Sequence, residues 1–206
     1  MKIAEIKKCL RNACEQMTSH TQELCLLDTG IGDGDHGVTV ERGFQAAAQA
    51  IDAYTGESAQ ELFDVIGEHM TLSMGGAIGP LYGAYWSAFA KALDTGELTC
   101  DNLGPALMAG CQRVMKLGRA NTGDKTVADA MHPCAQAAMN GTGTLALRLR
   151  LAADAALQGA MGTKGMIAKK GRARFLQEKS LDHMDAGAYS FALFMDHWAL
   201  TVKEEL

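Results

Sequence analysis

Apolar residues recur at three- and four-residue spacing near the start of the chain: Ile3, Ile6, Leu10, Ala13 and Met17. This spacing puts them on one face and predicts an amphipathic helix that ends near Ser19. A short segment at 22–27 follows and leads into a stretch rich in glycine and aspartate. The first helix therefore has one face to bury against a core.

The same periodicity, together with capping residues, predicts seven more helices. They lie at 39–51, from the capping box of Ser58 and Glu61 to about 75, at 79–93, from Thr99 or Asp101 to Gly118, from a cap at Thr126 to Met139, at 145–161 and at 188–204. No segment has a convincing strand pattern. The sequence therefore predicts an all-α fold of about eight helices, whose short connections favour antiparallel neighbours.

Aromatic side chains are concentrated in the predicted helix at 79–93, at Tyr82, Tyr85, Trp86 and Phe89. Aromatic residues can either fill a core or offer a platform for stacking a nucleotide base. We expect these four to pack in the core of the helix bundle.

Length and charge narrow the class of protein. The chain has 206 residues and no linker rich in proline, serine or glycine, which predicts a single domain over 1–206. Its net charge of −5 argues against a nucleic-acid partner. No stretch reaches the length of an apolar membrane span, and the six cysteines form no C-x-x-C pair, so we expect a soluble, cytoplasmic protein with reduced thiols.

Residues 27–37 hold three carboxylates and four glycines within eleven positions. Glycine permits tight and left-handed turns, so Asp28, Asp33 and Asp35 can converge on one point. Carboxylates a few ångströms apart repel each other by roughly 1–4 kcal/mol per pair. The acidic loop therefore predicts a bound cation, and Mg²⁺ is the best candidate because it takes carboxylate oxygens and shares substrate phosphates.

Other interpretations of the acidic loop fit less well. An EF-hand that starts at Asp33 needs glycine where Val38 stands and glutamate where Phe44 stands, so it fails. A dinucleotide fingerprint matches 32–37, but no alternation of strands and helices follows it. A solvated turn between two helices remains open.

The helix predicted at 39–51 directly follows the acidic loop, so its free amides and positive dipole end would face a phosphate there. Four connections contain almost all of the unusual glycine and polar residues: 28–37, 75–79, 118–126 and 171–187. They are every second turn of the chain, which predicts that they lie at one end of the bundle. A partial match to a phosphate-binding P-loop at 118–126 lacks a preceding strand and carries Asp124 as an insertion. Lys125 therefore either pairs locally, with Asp124 or the C-terminal loop, or contacts phosphate.

Four separated motifs occur in the order of one known family. They are Asp28-x4-Asp33-Gly34-Asp35-His36-Gly37, the segment 75–83, Gly123-Asp124-Lys125-Thr126, and Lys170-Gly171-Arg172-Ala173 with His183-x-Asp185-Ala186-Gly187-Ala188. Together they resemble the L subunit, the nucleotide-binding part, of dihydroxyacetone kinases. The resemblance extends from residue 27 to residue 190.

This resemblance implies an eight-helix antiparallel barrel with ADP or ATP held at one end through two Mg²⁺ ions. It assigns Asp28, Asp33 and Asp35 as the metal ligands. It implies no catalytic residue outside the metal and nucleotide site. The residues that it assigns to nucleotide binding are His36, Gly37, Val38, Thr39, Ala77, Ile78, Gly118, Val127, Arg172, Asp185, Ala186 and Gly187.

Two positions depart from the family pattern. Ile78 stands where members usually carry serine, and Ala186 stands where they carry proline. The first change removes a hydroxyl near the phosphates. It is tolerable if the segment binds through its backbone amides. If the segment binds through the hydroxyl, turnover or nucleotide exchange should differ from that of the family.

The resemblance further implies a phosphotransferase subunit that passes a phosphoryl group to dihydroxyacetone, or a related small ketose, on a partner K subunit. In one branch of the family a phosphohistidine-carrying M subunit recharges bound ADP, and in the other branch free ATP exchanges. The departures at Ile78 and Ala186 leave an alternative, a non-catalytic nucleotide-loaded module that binds a transcription factor or another protein. A purely structural all-α domain is a third hypothesis.

Overall fold

The computed structural model describes residues 1–93 and 96–202. This part of the chain contains nine α-helices and no strand. The helices are α1 (Ile3–Gln16), α2 (Thr21–Thr29), α3 (His36–Ala53), α4 (Ala59–Ser73), α5 (Ile78–Lys91), α6 (Cys100–Gly118), α7 (Ala128–Asn140), α8 (Leu145–Gly162) and α9 (Ala186–Thr201). Short 3₁₀ segments lie at Met17–His20, Thr163–Gly165 and Arg172–Ser180.

Eight of these helices form a closed ring. Each helix from α3 to α9 packs against the next one in the chain, and α1 closes the ring by packing against both α3 and α9. The short α2 lies outside the ring against α3 and accounts for the ninth helix. Because short connections join successive helices, their directions alternate around the ring. The expected eight-helix antiparallel barrel is confirmed.

Aromatic side chains fill the interior of the barrel. Phe63 of α4 stacks on Trp86 of α5 with ring centroids 5.5 Å apart. Trp86 in turn meets Trp198 of α9 edge-on at 6.3 Å. Tyr82, Tyr85, Trp86 and Phe89 are all buried, so their predicted packing role is confirmed. Burial of such rings supplies much of the hydrophobic stabilisation of the fold.

The predicted caps of α6 and α4 are present, but the capping box of α4 is incomplete. Thr99, rather than Asp101, caps α6, because its hydroxyl accepts from the Asn102 amide at 3.3 Å. Ser58 caps α4 as predicted, but Glu61 does not complete a capping box, since its carboxylate accepts from the Tyr54 hydroxyl at 3.0 Å.

The predicted cap at Thr126 is correct only in part, because α7 begins at Ala128 with Val127 as its N-cap residue and no side-chain cap there. The Thr126 hydroxyl accepts from the Ala128 amide at 3.2 Å and does not reach the Asp129 amide. The Asp129 carboxylate instead accepts from the Thr126 amide at 2.8 Å. The other Asp129 carboxylate oxygen accepts from the Gly123 amide at 2.5 Å, so Asp129 ties the whole turn to the first residues of α7.

The C-terminal helix starts earlier than predicted. The last helix begins at Ala186, two residues before the predicted start, and its predicted end at residue 204 lies outside the described residues. All six cysteines carry free thiols. In the described part of the chain, no helix combines the length and apolarity that crossing a bilayer demands.

The α7–α8 contact depends on a glycine. A Cβ added at Gly159 of α8 would lie 2.1 Å from the Asp129 carbonyl oxygen of α7. Such a distance is impossible without separating the helices, because the obstacle is backbone. The absent side chain therefore sets the spacing of α7 and α8.

Replacing Gly159 with Ala is expected to lower the free energy of unfolding by about 1–3 kcal/mol, because it overpacks this contact. The matched control is Gly162→Ala in the same helix, where an added Cβ meets nothing within 4 Å. The control should be neutral or stabilising by up to about 1 kcal/mol. Urea unfolding measures both, and equal effects of the two variants would contradict the packing argument.

A polar network fastens α2 to α9 outside the barrel. The Tyr189 hydroxyl donates to Glu23 at 2.8 Å, and the other Glu23 oxygen lies 2.9 Å from the His20 ring. The Nε2 atom of His20 lies 3.0 Å from the Nε2 atom of His197. Burial and the neighbouring His20 lower the pKa of His197, against an opposing effect of Asp196. The folded protein therefore favours the neutral form of His197.

The lowered pKa of His197 predicts a loss of stability in mild acid. Below the ordinary pKa of 6.5 the unfolded chain takes up a proton at this position more readily than the folded one. Glu23 does not contribute in this range, because its pKa is lowered from 4.5 by the His20 hydrogen bond. Between about pH 7.5 and 5.5, His197→Gln should lose less unfolding free energy than the wild type.

Urea unfolding at the two pH values measures this difference. The control is His69→Gln, which removes an exposed imidazole of α4. A His197→Gln variant with the same pH dependence as the wild type would contradict the assignment of acid sensitivity to this network.

Candidate metal and phosphate site

The amino-terminal ends of α3, α5, α7 and α9 share one rim of the barrel, because helix direction alternates around the ring. Side-chain contacts agree with this arrangement. His36 at the start of α3 lies 3.0 Å from Ser190 in the first turns of α9. A Cβ added at Gly187 of α9 would lie 3.7 Å from Val127 at the start of α7. Four positive helix ends therefore meet at the rim that carries the acidic loop.

The acidic loop is wrapped around Asp28, in the last turn of α2. One carboxylate oxygen of Asp28 accepts from the Gly34 amide at 2.8 Å, and its carbonyl oxygen accepts from the Gly32 amide at 2.6 Å. Gly34 has a φ of +76°, which favours glycine. A Cβ at Gly32 would lie 2.0 Å from the Asp28 carboxylate. The glycines are needed so that the loop can turn back on this carboxylate.

The three aspartates converge as the sequence predicts. Asp28, Asp33 and Asp35 each offer one oxygen, and these oxygens lie within 4.8 Å of one another. Asp28 is half-buried, whereas Asp33 and Asp35 are exposed. Asp35 precedes α3 without capping it by its side chain, so its carboxylate is not used by the helix. This hard oxygen set, open to one side, fits Mg²⁺ with remaining positions for water or phosphate.

Arg172 reaches the acidic loop from the segment that precedes α9. Its guanidinium forms an ion pair with the Asp33 carboxylate. It belongs to the 3₁₀ segment Arg172–Ser180, which follows Gly171 with a φ of +62°. The structure thus brings together the first and last motifs, separated by more than a hundred residues.

Lys125 anchors the segment that carries Arg172. Its side chain is 2% exposed, and its ammonium donates to the carbonyl oxygens of Thr163 at 2.7 Å, Met166 at 3.2 Å and His183 at 2.5 Å. Burial lowers the pKa of Lys125. Because three carbonyls engage its three donors, the structure supports the C-terminal loop over phosphate as the partner of Lys125.

The first turn of α3 holds the next four assigned residues. His36 is the first residue of the helix, and burial lowers the pKa of its imidazole. Gly37 has no room for a Cβ, which would lie 2.0 Å from the Thr21 carbonyl oxygen. Val38 is exposed and Thr39 is buried. All four lie at the rim beside the acidic loop.

The start of α5 places Ala77 and Ile78 at the same rim. The Ile78 side chain is partly buried and packs against the core. No side chain caps this helix start. Gly118 ends α6 and would contact Leu81 of α5 through an added Cβ at 3.8 Å. The segment around Ile78 therefore offers backbone amides rather than a side-chain hydroxyl.

Asp185 has a structural role at the start of α9. Its carboxylate caps the helix by accepting from the Ala188 amide at 2.7 Å, and its own amide donates to Thr163 at 2.9 Å. Burial raises the pKa of Asp185 to about 6. Ala186 and Gly187 form the first turn of α9, so this motif presents helix amides to the rim.

A known family model matches most of the chain. The model of the DAK2 domain matches residues 30–200 of the chain. The chain belongs to the DAK2 domain family. It is 35% identical over 179 residues to the "PEP-dependent dihydroxyacetone kinase 1, ADP-binding subunit DhaL" of Listeria innocua, covering 87% of this chain and 86% of that one. It is 32% identical over 191 residues to the corresponding ADP-binding subunit DhaL of Escherichia coli, covering 91% of each.

A solved structure has the same fold as this DAK2 domain. The dihydroxyacetone kinase of C. freundii, in complex with AMP-PNP and Mg²⁺, superposes with a TM-score of 0.75 at 25% identity. The match covers 97% of this chain and 34% of that kinase, so the chain spans about a third of its length. The resemblance inferred from the four motifs is therefore confirmed at the level of family and fold.

Three residues at this rim of the DAK2 domain were missed from the sequence. Ser190 lies against His36, and Asp129 binds the amides of Gly123 and Thr126 in the turn before α7. Arg42 of α3 reaches the Thr39 hydroxyl at 3.5 Å. Asp129 had a local signal, since it stands three residues after Thr126, but Ser190 lies 154 residues from its partner.

Replacing Lys125 with Met is expected to lower the free energy of unfolding by about 2–4 kcal/mol, because three carbonyls lose a charged donor. The segment 163–185 should also exchange its amide hydrogens faster. Chemical unfolding and hydrogen exchange measure the two effects.

The control for this variant is Lys169→Met, in which an exposed lysine loses a bond to the Gly123 carbonyl and an ion pair with Asp124. It should change stability by no more than about 1 kcal/mol. Unaltered exchange in segment 163–185 of Lys125→Met would show that Lys125 does not anchor it.

Proposed function

We propose that this DAK2 domain is the nucleotide-binding L subunit of a dihydroxyacetone kinase, or of a kinase for a related small ketose. It holds ADP or ATP through two Mg²⁺ ions, and it transfers a phosphoryl group to ketose bound on a separate K subunit. The convergence of Asp28, Asp33 and Asp35 at a rim of four helix amino termini carries this proposal. The names of the ADP-binding relatives and the AMP-PNP complex support it.

The metal ligands in this proposal are the three aspartates. Asp28 is held in place by the Gly34 and Gly32 amides, so it is the fixed member of the set. Asp33 and Asp35 are exposed and provide the oxygens that face incoming phosphate. Bound Mg²⁺ offsets the charge of the polyphosphate and of the carboxylates together, which removes the mutual repulsion of the cluster.

The polyphosphate in this proposal is held by backbone amides at the starts of α3, α5 and α9. His36 to Thr39, Ala77 with Ile78, and Ala186 with Gly187 supply these turns. Gly118 and Val127 lie beside them, toward the adenine side. Asp185 acts indirectly, because its carboxylate is occupied in capping α9.

Arg172 supplies positive charge at the proposed site. Its planar fork suits a phosphate as well as it suits the Asp33 carboxylate. With a metal bound to Asp33, the Arg172 guanidinium would be available to pair with a phosphate of the nucleotide. Phosphoryl transfer depends mainly on such positioning and charge neutralisation, so no separate nucleophile is required.

The partner assignments are part of the same proposal. Relatives named as ADP-binding subunits of PEP-dependent dihydroxyacetone kinases support a separate K subunit as ketose carrier. An M subunit as phosphoryl donor rests on the sequence resemblance alone. The six free thiols support a cytoplasmic location. The regulatory alternative, binding of a transcription factor, shares the nucleotide site but lacks transfer to ketose.

Replacing Asp33 with Asn should weaken ADP binding in the presence of Mg²⁺ by more than about 100-fold, because it removes a charged ligand oxygen. Chelation of the metal with EDTA should have the same effect on the wild type. Isothermal titration with ADP measures both. The control is Asp64→Asn, which removes an exposed carboxylate on α4 and should bind ADP like the wild type.

ADP binding that survives both EDTA and the Asp33 substitution would overturn the metal-bridged site. A second assay separates transfer from regulation. The protein is combined with a K subunit, dihydroxyacetone and a phosphoryl donor, and triose phosphate is measured. Absence of product together with specific capture of another protein would favour the regulatory alternative.

A further inference from the structure

The buried hydroxyl of Ser190 connects α9 to the start of α3. The Ser190 hydroxyl oxygen lies 3.0 Å from Nε2 of His36, and Ser190 is fully buried. His36 begins α3, while Ser190 stands on α9, 154 residues later. The contact therefore joins two helices whose amino termini form the candidate site.

A second buried hydroxyl supports the first. The Tyr82 hydroxyl of α5 lies 3.4 Å from the Ser190 hydroxyl, in surroundings that include Phe44 and Phe194. A buried hydroxyl without a partner costs about 1–3 kcal/mol. Tyr82 and Ser190 satisfy each other, so both hydroxyls are tolerated in an otherwise apolar core.

Ser190 also binds its own helix. Its hydroxyl donates to the Gly187 carbonyl oxygen at 3.1 Å, within the first turn of α9. With the Gly187 bond made by its proton, the Ser190 oxygen has two lone pairs left for Tyr82 and for His36. One buried serine thus fixes α5, α9 and the His36 ring relative to one another.

We infer that Ser190, supported by Tyr82, is a positioning residue that holds the His36 imidazole in the orientation needed for nucleotide binding. This inference rests on the proposed function. A histidine at the first position of a helix has rotamer freedom that must be lost when it contacts a ligand. Fixing the ring beforehand reduces that loss, which strengthens binding without a new ligand contact.

A double-mutant cycle between Ser190→Ala and His36→Ala tests the inference, with ADP and Mg²⁺ as the probe. Ser190→Ala should weaken ADP binding by about 3- to 10-fold in the wild type, and by less than about 2-fold when His36 is already alanine. Such coupling would mean that Ser190 acts through His36. Equal losses in the two backgrounds, or no loss in either, would overturn the inference.

Two variants control for simple destabilisation. Tyr82→Phe with Ser190→Ala removes both hydroxyls, so the Tyr82 hydroxyl is not left buried without Ser190, and the pair should show the same coupling to His36. Ser180→Ala removes another fully buried serine, which bonds to Ala168 and Gln177 and does not contact Ser190 or His36. Any effect of Ser180→Ala should be equal in the two His36 backgrounds.

A measurement without nucleotide separates this inference from the proposed function. The His36 ring resonances in the NMR spectrum should shift and sharpen in Ser190→Ala, because the ring gains freedom. Unchanged ring resonances would overturn the inference whether or not ADP binds. Failure of the wild type to bind ADP, with shifted resonances in the variant, would reject the nucleotide site but keep the positioning of the ring.

Discussion

The alternating direction of eight helices in a closed ring is the constraint on which the rest of the structure depends. With α1 followed around the ring by α3, every second helix begins at the same rim, so α3, α5, α7 and α9 bring their free amides together. Partial positive charge from four helix ends then faces one small region. An excess of carboxylates at this rim, which would be unfavourable elsewhere, is partly offset by the scaffold itself. The aromatic core keeps this geometry rigid by packing α4, α5 and α9 on shared rings.

The acidic loop and Arg172 carry opposite charges at the rim, and they meet at Asp33. The acidic loop is closed locally, through the bonds from Gly32 and Gly34 to Asp28, so it is set by residues close in sequence. Arg172 lies on the long segment 163–185. This segment is fixed by hydrogen bonds from Lys125, which is distant from it in the sequence. A cation bound in the loop would repel Arg172, and an anion bound between the loop and Arg172 would repel the aspartates. Each bound ion would therefore offset the repulsion that the other causes. This reciprocity is why a metal and a polyphosphate suit the site together better than either suits it alone.

Much of the fold was predictable because its signals are local. Helical periodicity placed all eight helices of the ring, and the spacing of Asp28, Asp33 and Asp35 indicated their convergence. The capping box at Ser58 stays incomplete because the Tyr54 hydroxyl, rather than Glu61, accepts from the Ser58 amide, and the turn before α7 is held by the Asp129 carboxylate. Spacing alone does not predict either bond. The contacts of Lys125 with segment 163–185, and of His36 with Ser190, depend on how distant helices close the ring. No local pattern encodes these contacts.

The two departures from the family pattern can be judged from their places in the barrel. Ile78 turns its side chain toward the core at the start of α5, so an apolar residue there gains packing while leaving the helix amides free. Ala186 is the first residue of α9, where proline is favoured because that position needs no amide hydrogen bond. Alanine retains an amide that proline lacks, and this amide lies at the rim. Both substitutions therefore preserve or add backbone donors, which argues that a site built from helix amides tolerates them, and that they do not by themselves mark a loss of catalysis.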